Sequence, residues 1–221
     1  MAANGAGQPR MGRGRLACQT AAVTPHRDVA AFEARAAGYE EGWRGRLHHD
    51  IADRTAVLAL SASTAPRRVL DIGCGTGYLL RLLARQWSQA RELAGIDPAR
   101  SMIEAAAGSA RDERLRFSVG AAERLPYPDS SFDLIVSTTS FDHWSDQQAG
   151  VRECARVLMP GGHLMLVDLF SLWLIPTLTG GRRGKARTPE RADHLLSAAG
   201  FESIAWHDLY AIIIKAVTAT T

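Results

Sequence analysis

The chain has 221 residues, of which 46% are hydrophobic and 22% charged; this excludes a wholly disordered or fibrous polypeptide and suits one medium domain with a sizeable core. The net charge of +3 is a weak pointer to an acidic partner, and it rests on Arg, because Lys occurs only at Lys185 and Lys215. Cys18, Cys74 and Cys154 have no short spacing, so they offer no disulfide framework and no zinc ligand set, and a reduced, cytoplasmic setting with no metal is expected.

Residues 1–27 are rich in Gly, Ala and Arg without a hydrophobic period and read as a flexible basic tail. They carry four arginines and no acid, which leaves a net charge of −1 for the rest of the chain. Residues 28–60 read as a helical cap, with Leu47, Ile51, Thr55 and Leu58 on one helical face. Over 61–221, strands and helices alternate. Strands are predicted at 67–72, 93–97, 115–119, 132–137 and 163–167. Helices follow the first two strands and cover 147–158, where Val151, Cys154, Ala155 and Leu158 share a face, and Met159-Pro160-Gly161-Gly162 is expected to end that last one. Thr188 and Pro189 open a helix that Gly200 ends, and two adjacent strands, 201–207 and 210–217, close the chain. The pattern predicts an α/β domain around a mostly parallel seven-stranded sheet with one antiparallel strand. The longest apolar run, 167–175, is too short for a membrane span and is ended by Pro176.

The informative segment is Val69-Leu70-Asp71-Ile72-Gly73-Cys74-Gly75-Thr76-Gly77-Tyr78-Leu79. A buried strand runs through three alternate glycines into a helix, and glycine lets a ligand approach the backbone closely. The third glycine comes one residue too early for the dinucleotide pattern, and a phosphate loop needs a Lys that is absent. Twenty residues after Gly77, Asp97 ends the second strand, where a carboxylate can accept from ribose hydroxyls.

The D-x-G-x-G-x-G form resembles the first motif of class I S-adenosylmethionine-dependent methyltransferases, and the likeness extends over residues 67–168. Gly95 to Met102 resembles the ribose and adenine segment, and Gly120 to Pro128 resembles a stretch that usually ends in Leu-Pro-Phe. Ser131 to Val136 is similar to the fourth-strand motif, and Glu153 to Gly162 to the E-x-x-R-V-L-K-P-G-G segment. Together they resemble the small-molecule branch that includes the ubiquinone and menaquinone biosynthesis methyltransferases.

The resemblance implies a Rossmann-like fold with helices on both faces of the sheet and an N-terminal lid. It implies S-adenosylmethionine as cofactor, S-adenosylhomocysteine as product and a small, lipophilic methyl acceptor. Asp71, Gly73 and Gly75 would line the methionine end, with Gly77 in the same turn. Asp97, with Pro98 beside it, would bind ribose. Met102 would pack on adenine, the backbone at Ala121 and Ala122 would bond its ring, and Ser137 would sit beside the sulfonium. Ala121 departs from relatives that carry Asp there, and Glu123 is the substitute acceptor in reach of sequence reasoning. His143 in Ser140-Phe141-Asp142-His143-Trp144 is the candidate general base. Tyr39, Trp43 and Trp173 are the candidate substrate and lid residues, the last in a cap loop at 170–187 where apolar residues adjoin basic ones. Nucleic acid is the less favoured partner, since no motif for base methylation occurs. An RNA methyltransferase and a non-catalytic cofactor-binding protein are the alternatives, and a nicotinamide oxidoreductase is disfavoured by the glycine spacing.

Overall fold

Val69 to Ile72 and Leu134 to Val136 are apolar at successive positions rather than alternate ones, as strands covered on both faces require. In a computed structural model they form the centre of a seven-stranded sheet; residues 28–63, 65–170, 188–210 and 214–221 are described. The strands are β1 (Arg68–Ile72), β2 (Glu92–Asp97), β3 (Leu115–Val119), β4 (Phe132–Thr138), β5 (Leu158–Leu169), β6 (Glu202–Tyr210) and β7 (Ile214–Thr220). Their order is β3-β2-β1-β4-β5-β7-β6, and β7 alone runs antiparallel to its neighbours. The helices are α1 (Val29–Arg35), α2 (Gly42–Ala62), α3 (Tyr78–Gln86), α4 (Arg100–Ser109), α5 (Gln147–Val157) and α6 (Pro189–Ala198).

The alternation of buried side chains along each strand builds two cores. Ile51 and Ala59 of α2 and Leu80 and Leu83 of α3 pack with Val69 and Val136 on one face. Val151 and Cys154 of α5 and Leu196 of α6 pack with Leu70 and Ile135 on the other. Among the described residues, no helix is long and apolar enough to cross a membrane.

Several boundaries differ from the sequence expectation: the last two strands run over Glu202–Tyr210 and Ile214–Thr220, and two further differences bear on the site and the sheet. The helical run at 28–60 is broken between α1 and α2, where Glu41 is extended and Gly42 takes φ +66°. The short piece α1 packs on α4 through Phe32, Ala36 and Met102, whereas α2 lies on the sheet. Met159 to Gly162 does not end the chain's regular structure but belongs to β5, because Gly161 N–H donates to Thr221 O and Thr221 N–H to Gly162 O, which extends the pairing with β7. The tail at 1–27 and most of the loop at 170–187, Trp173 included, lie outside the described residues.

The order reverses between β1 and β4, so their C-terminal ends open a crevice. The turn after β1 is held there by β2: Gly73 and Cys74 N–H both donate to Ile96 O, at 2.8 and 3.0 Å. Gly77, with φ +77°, takes the chain into α3, and a Cβ there would lie 2.7 Å from the Phe117 ring of β3. Gly77→Ala is therefore expected to lower stability by about 1–3 kcal/mol, seen as a lower urea midpoint with an unchanged slope.

Candidate functional site

The crevice deepens into a cavity of about 240 Å³. Its floor is the glycine turn, Gly73 and Gly75, beside Asp97 and Pro98. One wall is Met102 with Val119 to Glu123; the opposite one is Thr138 to Ser140, His143 and Trp144. Asp28, Val29, Phe32 and Tyr39 of the N-terminal segment form the roof. A smaller cavity adjoins it behind Gly73, Gly75 and Tyr39, and Asp71 lines this one.

Asp97 is the central polar group. It is 8% exposed; Oδ2 accepts from Gly75 N–H at 3.0 Å and Oδ1 from Ala99 N–H at 2.8 Å. Burial raises its pKa above the ordinary carboxylate value, against the pull of those two donors. Burial also pushes Asp71 up to about 8, and the nearby Asp97 adds to this. At neutral pH the Asp71 carboxyl therefore holds its proton for most of the time. Thr138, which lines both cavities, has a buried hydroxyl with no hydrogen-bond partner among the described residues.

Most of the sequence candidates converge. Gly73, Gly75, Asp97, Pro98, Met102, Ala121, Ala122 and His143 line the main cavity, Asp71 the smaller one, and Tyr39 both. Glu123 also reaches the main cavity, with its carboxylate accepting from Asp146 N–H at 3.1 Å.

Three candidates stand elsewhere. Gly77 lines neither cavity; its hydrogen side faces Phe117, so its task is the strand-to-helix turn. Ser137 is fully buried, and its hydroxyl pairs with Ser140 Oγ at 3.1 Å. Ser140 Oγ in turn donates to Ile72 O and accepts from Trp144 Nε1, so this cluster fixes the loop that carries His143. Trp43 is 63% exposed, with Arg44 over its ring, because the break before α2 turns it outward.

Sequence reasoning missed the acids that seat the roof. Glu33 accepts from the N–H groups of Arg100 and Ser101 at 2.6 and 2.9 Å, at the start of α4. Glu40 accepts from Thr76 Oγ1 at 2.5 Å and Arg81 Nη2 at 2.9 Å, at the start of α3. Asp28 Oδ2 lies 2.8 Å from His143 Nδ1. The partners are 36 to 115 residues away in sequence, so no local spacing signals them.

The donor set also selects a ligand. Among the described residues, no Lys or Arg lines the main cavity, whereas Asp28, Asp97 and Glu123 do. A diphosphate would find no cation there. A nucleoside with a positive charge meets hydroxyl acceptors, apolar faces and carboxylates, which is the chemistry of S-adenosylmethionine.

Residues 70–166 match the methyltransferase-domain family. That segment carries the chain's similarity to the class I methyltransferases. It is 40% identical over 122 residues to the methyltransferase YcgJ of Bacillus subtilis, covering 54% of this chain and 47% of that one. The crystal structure of YcgJ superposes with a TM-score of 0.60 at 29% identity, over 72% of this chain and 71% of that chain. A demethylmenaquinone methyltransferase of Deinococcus radiodurans is 37% identical over 133 residues, 59% of this chain and 51% of that one. A 27-O-demethylrifamycin SV methyltransferase of Amycolatopsis mediterranei is 29% identical over 201 residues, 83% of this chain and 72% of that one. The chain spans about half the length of the first two relatives. The family's cofactor is S-adenosylmethionine, and the cavity's donor set fits it.

The roof contacts are pH-dependent. Burial would raise Glu40, but the bonds from Thr76 and Arg81 outweigh it and hold the carboxyl below its usual value. Ser101 and then the backbone donors lower Glu33. Depressed carboxylates stabilise above their unfolded pKa, and that contribution disappears as pH falls through their folded values. Acidification from about pH 7 to about pH 3 is therefore expected to lower the amide protection factors of residues 28–41, taken against the intrinsic exchange rate at each pH, before those of β1 and β4. Glu40→Gln is expected to produce a severalfold faster exchange there already at neutral pH, measured by mass spectrometry.

Proposed function

We propose that the chain transfers the methyl group of S-adenosylmethionine to a small, apolar organic acceptor. The carrying observation is the continuity of one cavity: it begins at the glycine turn and Asp97 and ends between Phe32, Val29, His143 and Trp144. When bound, the cofactor supplies an electrophilic methyl group on a sulfonium, and in-line displacement asks the protein to position and desolvate the partners.

Asp97 takes the ribose hydroxyls, since two of its four acceptor positions remain after Gly75 and Ala99. Met102 and the backbone at Ala121 and Ala122 take the adenine. Glu123 stands in for the Asp that relatives carry at position 121. Asp71, Gly73 and Gly75 take the methionine end. Residues 28–41 act as the lid of a domain that otherwise spans 61–221, and Tyr39 contacts both ends of the site. His143 faces the acceptor. The absence of Lys and Arg from the described lining favours a small molecule over nucleic acid. Two relatives are named for small organic acceptors, demethylmenaquinone and 27-O-demethylrifamycin SV. The buried free thiols of Cys74 and Cys154 fit a reduced, cytoplasmic setting.

Calorimetric titration with S-adenosylhomocysteine tests this reading. Asp97→Ala is expected to weaken binding about 10- to 100-fold, as the loss of charge-assisted bonds requires. Gly75→Arg is expected to abolish it, because a side chain at φ +52° would enter the cavity. Wild-type protein that does not bind would overturn the assignment.

A proton count gives an independent check. An ammonium group beside Asp71 would draw its carboxyl down from about 8 and drive off the proton. At about pH 7, binding is expected to release up to about one proton, measured from the dependence of the heat on buffer ionisation enthalpy. Asp71→Asn is expected to remove that release.

A further inference from the structure

His143 enters the cavity on the short turn Phe141–His143 after β4, and this turn cannot shift easily. His143 N–H donates to Ser140 O, and the Ser140 hydroxyl is tied to Ile72 O, Ser137 and Trp144. Across the cavity, Asp28 Oδ2 stands 2.8 Å from Nδ1 of the imidazole, and the Phe32 ring meets the imidazole edge to face at 5.1 Å. A carboxylate at Nδ1 selects the tautomer with the proton on that nitrogen and leaves the lone pair on Nε2. The pair joins two parts of the chain 115 residues apart, one on the lid and one on the turn after β4. Both side chains are about a quarter exposed, at 28% and 24%, so solvent does not swamp the interaction. Among the described acids, Asp97, at the end of β2, and Asp168, on β5, also feel the charge on the ring.

We propose that Asp28 is the positioning residue of an Asp28–His143 proton-accepting pair, assembled by closure of the lid, and that the methyl acceptor is a hydroxyl-bearing molecule. This rests on the methyl-transfer reading above. The acceptor oxygen forms its bond to the methyl carbon as the carbon–sulfur bond breaks, and sulfur keeps that electron pair as a neutral thioether. The hydroxyl proton passes to His143 Nε2, and the imidazolium so formed is balanced by Asp28. A tertiary amine or a thioether acceptor would have no proton to give and no need of the pair. With the lid raised, Asp28 leaves and the Nδ1 contact that fixes the tautomer is lost.

The test uses the full chain with ¹⁵N-labelled histidine, saturated with S-adenosylhomocysteine, under mildly alkaline conditions. Long-range ¹H–¹⁵N correlation is expected to show His143 protonated on Nδ1. Asp28→Asn keeps an oxygen acceptor and is expected to keep that tautomer; Asp28→Ala is expected to shift the ring towards protonation on Nε2. Both changes are expected to weaken S-adenosylhomocysteine binding less than Glu40→Gln, which loosens the lid without touching His143. With a phenol that the wild type methylates, Asp28→Asn is expected to lower kcat tenfold or more with KM little changed, and His143→Ala by about 10²-fold or more. Nε2 protonation in the wild type, or a tautomer indifferent to Asp28→Ala, overturns the pair. So does a loss of cofactor affinity equal to that of Glu40→Gln, which would make Asp28 a lid fastener only. Turnover confined to acceptors without a transferable proton overturns the hydroxyl assignment. Failure of the wild type to bind S-adenosylhomocysteine would instead overturn the methyl-transfer reading, while the tautomer measurement on the unliganded chain would still judge the pair.

Discussion

A single buried carboxylate ties the site together. Asp97 bridges the N–H groups of Gly75 and Ala99, which begin the connections from β1 to α3 and from β2 to α4. That bridge adds to the bonds from Gly73 and Cys74 N–H to Ile96 O and fixes the separation of two turns with different strands behind them. The cost is desolvation, visible in the raised proton affinity of Asp97 and in that of Asp71 beside it. Two acids kept this close in an apolar setting repel each other when both ionise. A ligand that offers hydroxyl donors to one and a cation to the other relieves both strains at once.

The roof follows a different logic. Asp28, Glu33 and Glu40 lie within thirteen residues, and each reaches a different wall: the turn after β4, the start of α4 and the start of α3. Glu33 and Glu40 meet helix starts, where N–H groups point outward and a negative charge is favoured. Apolar contact is confined to the patch around Ala36, Ala99 and Met102. A segment held largely by exposed and half-exposed polar bonds opens far more easily than a sheet strand does, and an enclosed cavity needs such a segment for ligand entry.

The sheet was legible because its strands are short apolar runs punctuated by Gly and Pro, and the glycine turn with Asp97 at the next strand end was legible because both follow from local sequence. What escaped was long-range. Nothing near Glu40 in sequence announces Thr76 or Arg81. Ser137 falls at the right strand end but on the wrong side of the Ser140 hydroxyl, which only the folded loop places there. Trp43 shares a helical window with Tyr39 in sequence, yet the positive φ at Gly42 sends the two in opposite directions. The continuation of β5 through Gly161 and Gly162 depends on Thr221, sixty residues later.

The two ends of the cavity also differ in how they are built. The nucleoside end is made of strand termini and of turns with no slack: a Cβ at Gly73 would strike the Ser140 side chain, and one at Gly95 would strike Cys74, Leu80 and Phe117. The other end is made of Val29, Phe32, His143 and Trp144, on segments outside the sheet. Substitutions at the first end are paid in folding. Those at the second change the shape and polarity of a chamber that the sheet does not need, so this architecture can acquire a new acceptor by drift in its connecting segments while its cofactor chemistry stays fixed.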